Sequence, residues 1–316
     1  MNWKEPITYA VKHKDEETRV KSRSGGIFTA LTDKIFEQNG IVYGCVLNEN
    51  FDAVHIRATT AEKRNLMRGS KYIQSKMGDI FKQVKIDLDS GKEVLFSGTS
   101  CQIAGLQGFL GKEYKNLLSV DIVCHGVPSV EVWQAYLKWQ EEKNNSKVVK
   151  VDFRNKMDFG WGDHVETLML SNGQKINSRV FSMLFSRRSA LRPSCYECPF
   201  KSTMHPGDIT IADYWGIDNA APGFNDNKGV SLVLVNSGKG NEYFECVKNM
   251  VIWKMTKIED SMQPSLIAPF PRPKERTKFW NDFNNKSFEY IAKKYGGIGT
   301  KDKLKRKIKR LIKAFS

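Results

Sequence analysis

A pair of cysteines two residues apart, followed directly by a proline, constrains this sequence most. Cys195, Cys198 and Pro199 lie in the segment CYECP, and such a gap lets both sulfurs reach one metal centre, as in bacterial ferredoxin ligand runs. The same spacing also fits half of a zinc site or a thioredoxin-type redox pair. Residues 192–194 read as a loop, unlike the strand-to-helix junction of a redox pair. The motif predicts a metal centre and leaves the metal open.

Two further cysteines stand where additional ligands are needed. Cys101 follows a short apolar strand and precedes a helix, and Cys124 ends the next apolar strand. Because α/β sheets place their sites at the C-terminal ends of strands, we expect these two thiols to join the CYEC pair. Cys45, within a strand, and Cys246, within a helical pattern, are interpreted as small buried apolar residues.

Composition narrows the class of protein. The chain has 40% hydrophobic residues, typical of a globular protein. Its first 19 residues are charged without a signal-like apolar core, and no apolar stretch is long enough to span a bilayer. We therefore expect a cytoplasmic protein, in which clustered cysteines favour metal binding over disulfides. The net charge is +15, but no nucleic-acid-binding motif accompanies it, so no specific nucleic-acid partner is predicted.

The hydrophobic pattern predicts an α/β (mixed α+β) fold, a sheet with flanking helices. Strand-like and helix-like segments alternate in the first half of the chain, and strand signals continue after about residue 145. A helix is expected from about Ser129, its N-cap, to Glu142. The proline-rich segment 264–273 is interpreted as an extended linker into a helical C-terminal tail. The predicted strands span residues 40–47, 93–96, 117–123, 149–153, 166–170, 209–212 and 230–235.

Two glycine- and hydroxyl-rich loops precede helices. Residues 22–26 read SRSGG, and residues 97–100 read SGTS after a strand. Backbone N–H groups at such a helix start can hold phosphate, and Arg23 adds positive charge. The alternative is that both are ordinary turns and helix caps. Neither is a GxGxxG fingerprint, so no Rossmann dinucleotide site is predicted.

Taken in order, these motifs resemble the beta-subunit family of coenzyme F420 hydrogenases and dehydrogenases. The resemblance covers roughly residues 10–290, with a further matching stretch at 226–236. Six ordered blocks carry it: KSRSGGIFTAL (21–31), RGSKYIQSKMGDIF (68–81), KEVLFSGTSCQIAGL (92–106), VDIVCHGVPS (120–129), RPSCYECPFK (192–201) and GDITIADYWGI (207–217).

The resemblance implies a 4Fe–4S cluster beside a noncovalent FAD. It implies that the four cysteines named above, Cys101, Cys124, Cys195 and Cys198, are the cluster ligands, with irregular loops around them. It divides the chain into a flavin-binding part (1–92), a cluster and flavin part (93–262) and a proline-rich linker with a basic helical tail (263–316). The implied flavin contacts are Ser24, Gly25, Gly26, Lys71, Tyr72, Ser75, Lys76, Gly98 and Thr99, with Gln102 in the same block as the last two. Asp213 and Trp215, in ADYWGI, are candidates to line the flavin pocket; the alternative is a structural aromatic.

Two departures from the family pattern shape the expected function. Ser100 stands where relatives commonly have proline, which alters loop stiffness rather than ligation. An N-terminal ferredoxin-like cysteine run, present in many relatives, has no counterpart before Cys45. The protein is therefore expected to need an external, ferredoxin-like electron carrier or a redox partner subunit. Similar bacterial chains resemble accessory proteins of surface-polysaccharide biosynthesis, so the small-molecule substrate need not be coenzyme F420.

The hypothesis for the reaction is that the cluster exchanges single electrons with FAD, whose ring N5 handles two-electron chemistry. His125 is the candidate catalytic residue, tuning the cluster or relaying protons; the alternative is a turn histidine. One rival function is a zinc-stapled basic protein that binds RNA or another polyanion. Another is a non-catalytic scaffold of the same family.

The basic tail has its own prediction. Residues 301–316 hold eight Lys or Arg and one Asp, and Leu304, Ile308, Leu311, Ile312 and Phe315 share one helical face. This pattern is typical of an interfacial helix on an anionic membrane surface. It predicts a peripheral location at the inner membrane face; the alternative is a solvated helix packed on its own domain or on a partner.

Overall fold

The computed structural model describes residues 5–299, and within them the backbone forms one large and one small β-sheet. The strands are β1 (Ile7–His13), β2 (Ile41–Leu47), β3 (Ala53–Ala58), β4 (Val94–Thr99), β5 (Leu117–Ile122), β6 (Val148–Asp152), β7 (Glu166–Leu170), β8 (Lys175–Ser178), β9 (Ile209–Asp213), β10 (Ser231–Val235) and β11 (Val251–Thr256).

Helices flank the sheets along the described part of the chain. They are α1 (Glu16–Lys21), α2 (Ile27–Glu37), α3 (Ala61–Asn65), α4 (Ile80–Asp89), α5 (Ser100–Leu110), α6 (Val130–Asn144), α7 (Lys156–Phe159), α8 (Val180–Arg187), α9 (Ile217–Ala220), α10 (Gly238–Val247), α11 (Pro264–Ile267), α12 (Arg276–Asn285) and α13 (Phe288–Lys294). Short 3-10 helices cover Pro193–Glu197, Lys248–Met250 and Glu259–Ser261.

The large sheet has eight strands in the order β11-β1-β10-β9-β5-β4-β2-β3. Its four central strands, β9, β5, β4 and β2, run parallel to one another. The strands outside them are antiparallel to their neighbours. The predicted mixed α/β fold is therefore confirmed, and three of the parallel strands end at the edge that carries the candidate site.

Amphipathic helices cover the large sheet because their apolar residues recur at helical spacing. Ile27, Leu31 and Ile35 on α2 are fully buried against the sheet, each contributing about 1.5–3 kcal/mol of burial free energy. Ser129 is the N-cap of α6, and its Oγ accepts a hydrogen bond from the Glu131 N–H at 3.1 Å. The predicted start of this helix is confirmed.

The small sheet, β6-β7-β8, packs with α6, α8, α12 and α13 around a second core. Trp133 is fully buried there, and its Nε1 donates to the Phe51 carbonyl at 3.0 Å. Ala53 of β3 and Ile73 belong to the same core. This second unit is therefore attached to the β2–β3 side of the large sheet.

Some elements differ from the sequence-based expectation. The hydrophobic pattern does not predict strands β1, β3, β8 and β11, since they are short or lack regular alternation. The proline-rich segment contains α11, a single turn that begins at Pro264, where the missing N–H of proline costs no helical hydrogen bond. The large sheet takes strands from both sides of residue 92.

None of the helices within residues 5–299 is long and apolar enough to cross a membrane. The amphipathic tail, residues 301–316, lies outside the described residues, so its membrane role stays a prediction.

Candidate cofactor site

Two of the candidate cysteines follow neighbouring parallel strands. In the register of β4 and β5, Thr99 lies opposite Ile122. Cys101 lies in the first turn of α5, directly after β4, and is exposed. Cys124 lies two residues beyond β5 and is partly buried. The expected placement at adjacent strand ends is confirmed.

The CYEC pair is brought to the same place by backbone pairing. Pro128 and Leu191 form an antiparallel bridge, and the Arg192 N–H donates to the Val127 carbonyl at 2.9 Å. These contacts join the segment after Cys124 to the segment before the 3-10 helix that carries Cys195.

Gly126 makes this close approach possible. Its φ is +121°, and a Cβ there would lie 2.9 Å from Leu191 Cδ1 and 3.3 Å from the Cys195 Cβ. Its N–H donates to the Cys124 sulfur at 3.3 Å. Only glycine fits this position without displacing the CYEC segment.

The four thiols interact electrostatically with one another. Cys124 lies within electrostatic range of Cys101 and Cys195, and Cys195 lies within range of Cys101 and Cys198. Burial raises the pKa of the Cys124 thiol to about 12 and also raises the pKa of Cys195. Within residues 5–299 no three His, Cys, Asp or Glu side chains already form a metal-binding group.

The donor set fits a thiolate-bound centre. Soft thiolate ligands favour iron–sulfur clusters or zinc, and a bound metal lowers the pKa of its thiol ligands. The Gly126 N–H already points at one sulfur, and such hydrogen bonds are one of the means by which a protein tunes a cluster.

His125 lies between the cysteines and a group of aromatic rings. Its ring centroid is 4.7 Å from that of Phe185 and 4.5 Å from that of Phe270. Its backbone carbonyl accepts from Lys201 Nζ at 2.8 Å, while its own Nε2 is buried without a hydrogen-bond partner among the described residues. Burial, reinforced by Lys201 and Arg188, lowers the pKa of His125 to about 4, so the imidazole is neutral at pH 7.

A cavity of about 200 Å³ is strongly basic. Two of its arginines, Arg23 and Arg68, carry a buried Nε with no hydrogen-bond partner within residues 5–299, and Asp152 is the only acidic residue among its described lining. A guanidinium group with unused N–H donors is well suited to bind the oxygens of a phosphate. We call this space the basic cavity; its cationic lining residues are Lys21, Arg23, Arg68, Lys71, Lys150, Arg154 and Lys156.

The SRSGG loop borders the basic cavity, but its backbone is held by the protein itself. The Gly25 N–H donates to Ser231 Oγ at 2.9 Å, and a Cβ on Gly25 would lie 2.1 Å from the Val11 carbonyl oxygen. Ser24 Oγ donates to a carbonyl directly before β10, and Gly26 is the N-cap of α2 with φ +94°. The loop therefore presents the Arg23 side chain rather than the N–H of Gly25.

Lysines organise the loops around the basic cavity. Lys156 Nζ donates to three backbone carbonyls, among them that of Ser24 at 3.2 Å. Lys71 Nζ donates to four consecutive carbonyls of residues 66–69, at 2.9–3.1 Å. Burial lowers the pKa of Lys71 to about 8 and that of Lys156 to about 7. Both lysines hold the surrounding loops in place through these hydrogen bonds, and their protonated forms add positive charge to the cavity.

The other predicted flavin contacts of the segment 68–81 are divided between the basic cavity and the large sheet. Tyr72 lies at the cavity side, where its hydroxyl accepts from Arg154 at 3.3 Å. Ser75 Oγ lies 2.6 Å from His55 Nδ1 in the interior, and Lys76 pairs with Asp52 at 2.7 Å on the surface. Ser75 and Lys76 thus support the edge of β3.

Gly98, Thr99 and Gln102 shape the start of α5. Gln102 Oε1 accepts from the Thr99 N–H at 2.9 Å, and a Cβ on Gly98 would lie 3.0 Å from that same oxygen. Thr99 Oγ1 lies 3.1 Å from the Cys101 sulfur. These residues place the Cys101 thiol.

Asp213 and Trp215, at the end of β9, join a group of buried polar and aromatic side chains. Asp213 accepts from Arg154 at 2.6 Å and from Trp161 Nε1 at 2.8 Å. Trp215 stacks on Trp161 at 5.0 Å and lies 5.3 Å from the Arg154 guanidinium. Arg23 donates to the carbonyls of Arg154 and Trp161. This group fixes two of the cations of the basic cavity.

A chain of ring contacts connects the cysteine site with the basic cavity. From His125 it passes to Phe185, then to Tyr72 at 4.9 Å and to Phe153 at 5.8 Å. Phe153 lines the basic cavity. Packed aromatic rings therefore lie between the cysteines and the basic cavity.

Family models match both halves of the chain. One model, for the C terminus of the coenzyme F420 hydrogenase/dehydrogenase beta subunit, matches residues 91–261, and another, for its N-terminal part, matches residues 8–82. This chain belongs to that beta-subunit family.

A solved structure shares the fold of this family member. It is a chain from the F420-reducing [NiFe] hydrogenase complex of Methanosarcina barkeri, with a TM-score of 0.54 and 19% sequence identity. The match covers 79% of this chain and 82% of that one. No curated protein matches the sequence.

Several residues of the beta-subunit site are not singled out by the sequence patterns. Arg68 lies within one of the matching blocks, where its charge is the signal that could have found it. Arg154, Trp161, Phe185 and Phe270 lie in loops and helix ends without a local pattern, and only tertiary contacts bring them to the site.

We expect Asp213→Asn to destabilise this beta-subunit homologue. The pair with Arg154 is buried, with side chains 11% and 3% exposed, and removing one partner leaves an uncompensated charge. Because asparagine keeps one hydrogen-bond acceptor, the free energy of unfolding should fall by about 3 kcal/mol, the low end of the range for a broken buried ion pair. Denaturant unfolding measures this change. The control is Glu142→Gln, which removes an exposed ion pair with Lys138 at 3.8 Å. It should change the free energy of unfolding by less than about 0.5 kcal/mol. Equal stabilities for the two variants would contradict the prediction.

Proposed function

We propose that this protein is an iron–sulfur flavoprotein oxidoreductase. The four clustered cysteines would hold a 4Fe–4S cluster, and the basic cavity would hold the phosphates of FAD. The observation that carries the proposal is the ring contact chain between a set of free thiols and a cavity with seven cationic lining residues. Membership of the beta-subunit family supports it.

The side chains around the two sites have separate roles in this proposal. When bound, the cluster supplies single-electron transfer and FAD supplies two-electron chemistry. Arg23 and Arg68 bind phosphate, and Asp213 keeps Arg154 in place. Phe185 and Tyr72 exclude water from the space between the sites. The neutral His125 offers its buried Nε2 to a bound group or to a transferred proton.

The proposed partners are a small-molecule substrate and a source or acceptor of single electrons. The substrate would be a deazaflavin such as coenzyme F420 or another small molecule, used in surface-polysaccharide biosynthesis. The exposed Cys101 gives the thiols a route to an external carrier or a partner protein. The similarity to a chain of a hydrogenase complex supports a redox partner within an assembly. A cytoplasmic location, peripheral at the membrane through the tail, completes the proposal.

Anaerobic purification followed by iron, sulfide, zinc and flavin analysis tests the function. We expect about four iron, about four sulfide and about one FAD per chain, with the broad absorbance of a cluster. A colourless protein with one zinc and no flavin would instead support the zinc-stapled alternative. A protein without metal or flavin after reconstitution would support the scaffold.

A further inference from the structure

A segment outside the matched family regions lies beside the cysteine site and contacts His125, the neighbour of Cys124. The C-terminal family model ends at residue 261, and the strap that follows it, residues 263–276, crosses from the Asp213 side to the CYEC side. At its centre is Phe270. The ring centroid lies 4.5 Å from the Arg188 guanidinium, 4.1 Å from Lys201 Nζ and 4.5 Å from the His125 ring centroid.

Both ends of the strap are fixed to the site. At its start, Gln263 Nε2 donates to the Asp213 carbonyl at 3.3 Å. At its end, the buried Arg276 donates to the carbonyls of Ser189 and Leu191 at 2.6 and 2.7 Å and to the Tyr196 hydroxyl at 2.9 Å. The prolines on either side of Phe270 restrict the backbone to extended conformations. The ring is therefore held in place by the strap.

Phe270 also contacts two neighbouring cations, Arg188 and Lys201. Burial, with a smaller contribution from repulsion by Arg188, lowers the pKa of Lys201. The face of an aromatic ring attracts a cation, and here one ring meets both. Lys201 also interacts with Cys124, Cys195 and Cys198. The ring thus contacts the Lys201 ammonium, which lies near the thiols, and the Arg188 guanidinium, which lies near Lys201 and His125.

We propose that Phe270 is a positioning residue that closes the cluster site, excluding water and holding His125, Arg188 and Lys201 against it. This inference rests on the proposed cluster. Solvent access and outer-shell contacts set the potential and stability of such a centre. Water stabilises the more negatively charged, reduced state of a cluster with four thiolate ligands, so opening the cover raises the midpoint potential.

The test compares full-length wild type with Phe270→Ala, Phe270→Leu and a control, Phe109→Ala. Phe109 is 45% exposed on α5, the helix that carries Cys101. In Phe270→Ala we expect an iron chelator to bleach the cluster on the order of 10-fold faster, with a more positive midpoint potential by redox titration. Phe270→Leu, which still fills the space, should stay within about twofold of wild type, as should Phe109→Ala.

A second readout needs no cluster. In cluster-free, full-length protein, iodoacetamide should alkylate Cys124 faster in Phe270→Ala than in wild type or Phe270→Leu, as mass spectrometry can show. Unchanged bleaching, potential and alkylation in Phe270→Ala would overturn the role of Phe270 and leave the proposed function standing. A wild-type protein that binds no cluster would instead remove the proposed function.

Discussion

The Cys124→Ser variant is expected to purify without its iron–sulfur cluster while keeping its flavin. Cys124 is the thiol whose pKa burial raises most clearly, to about 12, and it has the Gly126 N–H directed at its sulfur. A serine hydroxyl is a harder ligand and is not ionised in such a place. The iron content should therefore fall from about four to below about one per chain.

Cys246→Ser is the matched control for this variant. Cys246 lies on α10, on another part of the chain, and is exposed, so the expectation that it is a buried apolar residue is wrong: it points away from the apolar side of its helix. Its replacement should leave iron, sulfide and flavin unchanged. Iron and acid-labile sulfide analysis of anaerobically purified proteins gives the comparison, and FAD content shows whether the fold is kept. If both variants retain a full cluster, Cys124 is not a ligand. Loss of zinc rather than iron would locate a metal site but contradict the cluster.

The Arg68→Gln variant is expected to bind FAD on the order of 10- to 100-fold more weakly than wild type. A charge-assisted hydrogen bond to phosphate contributes about 1.5–3 kcal/mol, and Arg68 Nε is buried in the basic cavity with no partner in the described part of the chain. Burial, together with repulsion by Arg64, lowers the pKa of Arg68. An anion beside this guanidinium would offset both the cost of burying its charge and the repulsion by Arg64.

Titration of cofactor-free protein with FAD, followed by flavin fluorescence, measures this affinity. Arg57→Gln is the control. Arg57 Nε lies 2.7 Å from Asp87 Oδ2, and neither residue lines the basic cavity. Inorganic pyrophosphate should compete with FAD in wild type and less well in Arg68→Gln. An affinity that is the same in both variants and insensitive to pyrophosphate would place the phosphates outside the basic cavity.

The central strands of the large sheet and the positions of the cysteines could be predicted because their signals are local. Apolar runs reveal β4 and β5, and parallel neighbours must bring Cys101 and Cys124 to one edge. The family and the mixed α/β fold are both confirmed. The ligand and flavin roles of individual residues stay predictions.

The basic cavity could not be predicted in the same way. Its cations come from three separate segments, around residues 21–23, 68–71 and 150–156, which meet only in the folded chain. Sequence reasoning also could not tell that Lys71 Nζ faces four carbonyls or that Ser75 lies beside His55. Which partner a side chain meets depends on tertiary contacts, which the local pattern does not contain.

The place of β1 in the large sheet has a consequence for how the protein is made. This first strand lies between β10 and β11, with Ile7 opposite Val235 and Thr8 opposite Thr256. Pairings this distant in sequence form slowly, and during translation β1 must wait for residue 235 to pair with β10 and for residue 256 to pair with β11. The SRSGG loop, which is fixed to residues 230 and 231, must likewise wait for β10. The proposed cofactors are therefore expected to be inserted late, after β10 has been synthesised.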